Sequence, residues 1–200
     1  DLPINAPCIL FNGAGLYDLD ERKFLAMHPI DRDRTGRVAE RLLELNETTC
    51  VQVFTDTSIY EINPDQRDDP QTVIEQIQTR CEPFDQISGT LLKVLIAHTS
   101  DALDILHASL EQDGLFDGLS AFRTSSTYLE FVAGGVNKGV TLSDVRSRCK
   151  DVKKILAIGD YNNDLEMVSL ADIGGAPANA IREVKDAADI VLDADNNHSA

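Results

Sequence analysis

Short apolar runs and helically spaced apolar positions alternate along this chain. Residues 7–11 (Pro-Cys-Ile-Leu-Phe) form an apolar run that stops at Asn12-Gly13-Ala14-Gly15, the pattern of a buried strand leaving through a turn. Val38, Leu42 and Leu45 follow at i, i+4 and i+7, so they predict an amphipathic helix that Asp31 or Asp33 can cap. Residues 50–55 and 58–62 read as strands, 63–70 as a polar, acidic loop and 72–78 as a short helix. A strand is expected over 91–97, then a helix from about Asp101 with Leu103, Leu106 and Leu110 on one face, then strands over 119–123 and 127–132. Strands and helices mix here without strict alternation, as in an α+β layer.

The last third has a different rhythm. Residues 155–158 (Ile-Leu-Ala-Ile) are continuously apolar and end at Gly159-Asp160, which predicts a strand buried on both faces. Short strands over 173–176 and 189–192 follow, with helices over 163–170 and 179–187 between them. That strand–helix–strand order predicts a parallel, doubly wound sheet.

With 200 residues, 42% of them apolar, the chain can bury a real core in one domain or two small ones. It has no apolar run long enough to cross a bilayer. Its first residues lack the basic start and apolar stretch of a secretory signal, so a cytoplasmic protein is the expectation. Cys8, Cys50, Cys81 and Cys149 are widely spaced without a C-x-x-C pair, which argues for reduced, partly buried thiols rather than a zinc or dithiol centre. The net charge of −16 repels phosphate backbones and anionic lipids, so neither nucleic acid nor a membrane is an expected partner. The same field repels a phosphorylated metabolite. A site for one needs a metal ion or a well-placed lysine.

Gly159-Asp160-Tyr161-Asn162-Asn163-Asp164 carries the strongest chemical signal. Ligands of open α/β sheets bind beyond the carboxyl ends of the strands. Asp160 stands at such an end, and Asn163 and Asp164 open the next helix. Two carboxylates and an amide offer the hard oxygen ligands that Mg²⁺ prefers. Helix capping would account for one or two of these residues but not for all. A calcium loop is excluded, because Leu165 and Ala171 stand where its glycine and final glutamate are required. The second signal is Gly134-Gly135-Val136-Asn137-Lys138-Gly139. A lysine at a helix start opposes the dipole; it is either a solvated side chain or one held beside carboxylates to meet a phosphoryl group.

Taken in order, Asn12-Gly13-Ala14, a long αβ insertion, Leu129-Glu130 ahead of Gly135-Val136-Asn137-Lys138-Gly139, and Gly159-Asp160-x-x-Asn163-Asp164-x-x-Met167 resemble the Cof-type phosphatases. These form subgroup IIB of the haloacid dehalogenase (HAD) superfamily. Ala178-Asn179-Ala180, Val184-Lys185, Ala187-Ala188-Asp189 and Asn197-His198 extend the resemblance over essentially the whole chain. It implies a Rossmann-like, doubly wound α/β HAD core, incomplete at its N-terminus, over residues 1–17 and 131–200. An α+β cap over residues 18–130 would cover the site and select the substrate. By the same resemblance Asp160 coordinates Mg²⁺ directly and Asp164 holds it directly or through water. Lys138 stabilises the nucleophile and the phosphoryl group, Asn163 helps hold the metal–phosphate cluster, and Asn12 and Gly13 lie at the edge of the phosphate site.

The family's nucleophile is an aspartate in an Asp-x-Asp strand that precedes the Asn-Gly-Ala strand, and only eleven residues precede Asn12 here. Asp31-Arg32-Asp33-Arg34-Thr35 spells a similar motif, but it follows a Met-His-Pro-Ile stretch that is no strand and runs into a helix, so it reads as a helix start. Asp18 and Asp20 read as a surface turn. The expectation is a natural protein with roughly 50–60 further N-terminal residues, about one βα unit plus a strand, and a closing helix beyond Ala200. The intact protein is expected to hydrolyse a phosphate monoester of a small metabolite, such as a sugar phosphate, through an aspartyl-phosphate. The 200-residue chain alone is expected to be inactive. A non-catalytic metal- or phospholigand-binding protein and a phosphomutase are the alternatives; substrate and oligomeric state stay open.

Overall fold

The computed structural model describes residue 4 and residues 6–46, 49–63 and 78–198. The expected loop over 63–70 and helix over 72–78 lie outside the described residues, apart from Asn63 and Gln78. In chain order the elements begin with β1 (Cys8–Leu10), β2 (Gly15–Asp18), β3 (Lys23–Met27), α1 (Arg32–Leu45), β4 (Cys50–Thr55), β5 (Ile59–Glu61), β6 (Thr79–Cys81) and β7 (Leu91–Ala97). They continue with α2 (Ser100–Gln112), β8 (Leu119–Arg123), β9 (Tyr128–Ala133), α3 (Lys138–Arg148), β10 (Leu156–Ile158), α4 (Leu165–Leu170), β11 (Ile173–Ala176), α5 (Arg182–Ala187) and β12 (Ile190–Val191). Two compact units result: residues 1–28 together with 136–200, and residues 29–135 inserted between them. The expected insertion over 18–130 would start inside β2.

In the discontinuous unit β1, β2 and β3 pair antiparallel in that order. The β2–β3 hairpin has no counterpart among the expected elements. Its turn is set by Asp18, whose Oδ1 accepts from the amides of Asp20 and Glu21 at 2.9 Å each. Phe24 then packs edge-on against Tyr17, with ring centroids 5.0 Å apart. This cross-strand aromatic pair holds the two strands of the hairpin together.

The same unit carries a parallel sheet in the order β10-β11-β12, as the strand–helix–strand rhythm predicts. Val168 of α4 and Val184 of α5 pack with Ala176 and Ala180 on one of its faces. The expectation that 155–158 is buried on both faces is corrected here. Ala157 is buried, but Leu156 is 63% and Ile158 49% exposed. Side chains alternate along a strand, α4 covers only the Ala157 side, and among the described residues β10 pairs with β11 alone. Apolar continuity reports composition, not the number of covered faces.

The inserted unit is built on a six-stranded sheet in the order β6-β5-β4-β7-β9-β8, antiparallel except between β5 and β6. Asp31 caps α1, accepting from the Arg34 amide at 2.8 Å. Val38 and Leu42 of α1 and Leu103, Leu106 and Leu110 of α2 pack with Val51, Val53, Val94, Ile96, Leu129 and Phe131 of the sheet. Next to this core lies a polar cluster. Lys93 Nζ is 3.1 Å from Glu130 Oε2 and 4.2 Å from the centre of the Phe54 ring, and Thr124 Oγ1 donates to Glu130 Oε1 at 3.1 Å. None of the four cysteines forms a disulfide, and Cys81 is exposed rather than partly buried because it sits on the short edge strand β6.

Candidate active site

Lys138 owes its place to its neighbours. Asn137 caps α3, its Oδ1 accepting from the Val140 amide at 2.8 Å, so Lys138 is the first helical residue. The turn that leaves β1 approaches this helix start closely at Gly13. Its φ is +101°, and a Cβ there would lie 2.3 Å from the Asn137 carbonyl oxygen, so only glycine fits. Thr141 Oγ1 closes the junction by donating to Gly13 O at 2.7 Å.

The acidic turn after β10 comes to the same place. Lys138 Nζ donates to Asp164 Oδ1 at 2.6 Å, and Asp164 Oδ2 accepts from the amides of Asp160 at 3.1 Å and Tyr161 at 3.4 Å. Asp164 is 7% exposed and so depends on these partners. Gly159 permits the fold-back, since a Cβ at that position would meet the Asp164 Cβ at 2.3 Å. Asn163 Nδ2 donates to Asn12 Oδ1 at 3.1 Å, which ties the turn after β1 to the turn after β10.

These contacts frame a cleft of about 490 Å³ lined by Ile9, Lys138, Asp160, Asp164, Met167 and Asn196, among others. Six residues were singled out by sequence, and the fold brings all of them to this corner. Their positions divide into two kinds. Lys138, Asp160 and Asp164 line the cleft; Asn12, Gly13 and Asn163 brace its walls through the contacts given above.

Asp160 is the carboxylate left available. Its backbone oxygen accepts from Ile181 N at 3.0 Å and its Oδ2 from Asn196 Nδ2 at 2.7 Å. Among the described residues no hydrogen-bond donor reaches its Oδ1. Asn196, in the loop after β12, was not singled out by sequence. The rule that ligands gather beyond the carboxyl ends of parallel strands applies to the loop after β12 as much as to the one after β10.

The donors that line the cleft include the hard carboxylate oxygens that Mg²⁺ takes. Among the described residues no three His, Cys, Asp or Glu side chains gather as a closed metal cage. Mg²⁺ is commonly held without such a cage, by one or two carboxylates with water and phosphate completing its shell. The Asp160 carboxylate with one unengaged oxygen fits that mode. Asp164, with both oxygens occupied, fits as a neighbour acting through water.

A family model described as haloacid dehalogenase-like hydrolase matches residues 1–200. The chain is 45% identical over 62 residues to a phosphoglycolate phosphatase of Methanopyrus kandleri, a stretch covering 30% of this chain and 27% of that relative. The structure of TM0651 from Thermotoga maritima superposes with a TM-score of 0.71 at 29% identity, over 90% of this chain and 67% of that one. The HAD subclass IIB sugar phosphatase BT4131 shares the fold with a TM-score of 0.74 at 18% identity, over 94% and 70% of the two chains.

Proposed function

The chain belongs to the haloacid dehalogenase-like hydrolases, and from that premise we propose that it forms most of a Cof-type, Mg²⁺-dependent phosphate monoester hydrolase. Its substrate is a small phosphorylated metabolite such as a sugar phosphate. The observation that carries this reading is the meeting of Lys138, Asp164 and Asp160 at one cleft, with the ammonium 2.6 Å from one carboxylate and the other carboxylate half free.

Each residue has a task in this reading. Asp160 would hold Mg²⁺, its unengaged oxygen being the ligand available. The ion supplies positive charge that offsets the negative charge of the phosphoryl group in transfer. Asp164 anchors Lys138, so the ammonium stays aimed into the cleft instead of wandering through rotamers. Lys138 then neutralises phosphate oxygens in a site that already carries two carboxylates. The attacking carboxylate in this reading is the first aspartate of the family's Asp-x-Asp motif, which is not among the described residues lining the cleft. Its oxygen bonds to phosphorus as the phosphorus–oxygen ester bond breaks, and the leaving oxygen takes a proton from the motif's second aspartic acid; that aspartate then takes a proton from the water that cleaves the acyl phosphate, releasing phosphate and the free carboxylate. The inserted unit selects the substrate. The phosphatases named among the relatives support small phosphate monoesters as the substrate class.

One observation favours a second reading. Among the described residues the cleft is lined by two carboxylates, and both have other tasks. Without a third, the protein would bind metal and phosphate but not turn over. Hydrolysis of p-nitrophenyl phosphate by the full-length protein separates the two. The enzyme reading expects activity with Mg²⁺ that Asp160→Ala abolishes; activity that survives a chelator contradicts it.

A further inference from the structure

We propose that Asn196 is a positioning residue for the Asp160 carboxylate and that Asn179 holds it in that role; this rests on the reading of Asp160 as the metal-binding carboxylate. The loops that leave the three parallel strands converge here. Those after β11 and β12 are stapled by Leu192 N to Ala176 O at 2.8 Å and Ala178 N to Ala194 O at 2.9 Å. Side chains complete the staple. The Asn196 amide N–H donates to Asn179 Oδ1 at 3.0 Å, Asn179 Nδ2 donates to Asn196 Oδ1 at 2.8 Å, and Asn196 Nδ2 donates to Asp160 Oδ2 at 2.7 Å.

The direction of this chain follows from its first link. A backbone N–H can only donate, so it selects the oxygen end of the Asn179 side-chain amide. The Asn179 NH₂ group must then face Asn196, which presents its oxygen in return. The Asn196 NH₂ group is left pointing at Asp160. A donor delivered this way ties down one carboxylate oxygen and turns the other toward the cleft. Alone, the Asp160 carboxylate would rotate in a broad, roughly two-fold torsional well. Fixed, it offers a cation one oxygen in one direction. Both polar atoms of the Asn196 side chain are used within the protein, so Asn196 acts through Asp160 and not on the substrate.

The test is the affinity of the full-length protein for Mn²⁺ without substrate, read by electron paramagnetic resonance for Asn196→Ala, Asn179→Ala, Asn179→Asp and Asp160→Asn. Removing a partner that orients a metal-binding side chain weakens metal affinity by about 10–100-fold, and that loss is expected for Asn196→Ala and Asn179→Ala. Asn179→Asp keeps the acceptor for the Asn196 N–H and is expected to lose less. In turnover, the Mg²⁺ concentration for half-maximal activity should rise in the same order, with KM for p-nitrophenyl phosphate unchanged at saturating Mg²⁺. Wild-type Mn²⁺ affinity in Asn196→Ala, with affinity lost in Asp160→Asn, overturns the positioning role and leaves the metal site standing. Wild-type affinity in Asp160→Asn overturns the metal reading and this inference with it. Affinity that follows Tm across the series, not the hydrogen-bond order, also overturns the inference.

Discussion

Lys138 and Asp164 lie 2.6 Å apart, joining the first residue of α3 to the turn before α4. Asp164 is the fixed member, held by two backbone amides, and Lys138 is the member it aims. Lys138→Ala is therefore expected to lower kcat for phosphate monoester hydrolysis by about 10²–10³-fold, the usual effect of removing one group that stabilises transition-state charge. Lys138→Arg should not restore it, since a planar fork does not replace a point charge in a fitted site. Steady-state kinetics of the full-length variants decide the matter.

The junction at Gly13 is a matter of space. Gly13→Ala places a methyl group 2.3 Å from the Asn137 carbonyl oxygen at a φ that side chains rarely adopt. The expected destabilisation is about 1–3 kcal/mol, measured by urea unfolding. Because the same junction seats Lys138, activity should fall further than the folded fraction alone explains.

The pair of Lys93 and Glu130 is nearly dry, with side chains 12% and 9% exposed. Lys93→Met removes the cation beside the Glu130 carboxylate, to one oxygen of which Thr124 still donates. A loss of about 3 kcal/mol is expected, the lower end for breaking a buried pair. The double variant Lys93→Met/Glu130→Leu should recover most of it. A double-mutant cycle in urea measures both.

Acid sensitivity has an identifiable contributor in the discontinuous unit. The Arg146 guanidinium, and after it the Ile155 amide, hold the Asp172 carboxyl below the ordinary aspartate range. A carboxyl depressed in the folded state contributes stability above its unfolded pKa and loses it as pH falls through the folded value. Asp172→Asn should thus lower Tm near neutrality and flatten the fall of Tm in strong acid. Identical slopes for the two proteins on the acid side would remove Asp172 from the account.

Local signals were legible where one residue type decides the outcome. Asp31 ahead of a spaced apolar stripe marks the start of α1, and Gly159-Asp160 marks the turn after β10. Contacts that no spacing rule encodes were not. The β2–β3 hairpin depends on Phe24 meeting Tyr17, and the exposure of Leu156 and Ile158 depends on which elements lie over a strand. At the site, residue types pointed to Asp160, Asp164 and Lys138. The link between Asn179 and Asn196 was hidden because amide pairs leave no spacing pattern. Only the folded loops bring them together.

The most direct test is where a metal sits. Crystals of the full-length protein grown with Mn²⁺ and phosphate give the ion's position by anomalous scattering. Mn²⁺ is expected on the Asp160 carboxylate, with a phosphate oxygen beside it and another within hydrogen-bonding distance of Lys138. Mn²⁺ bound elsewhere, with Asp160 still turned to Asn196 alone, would contradict that placement.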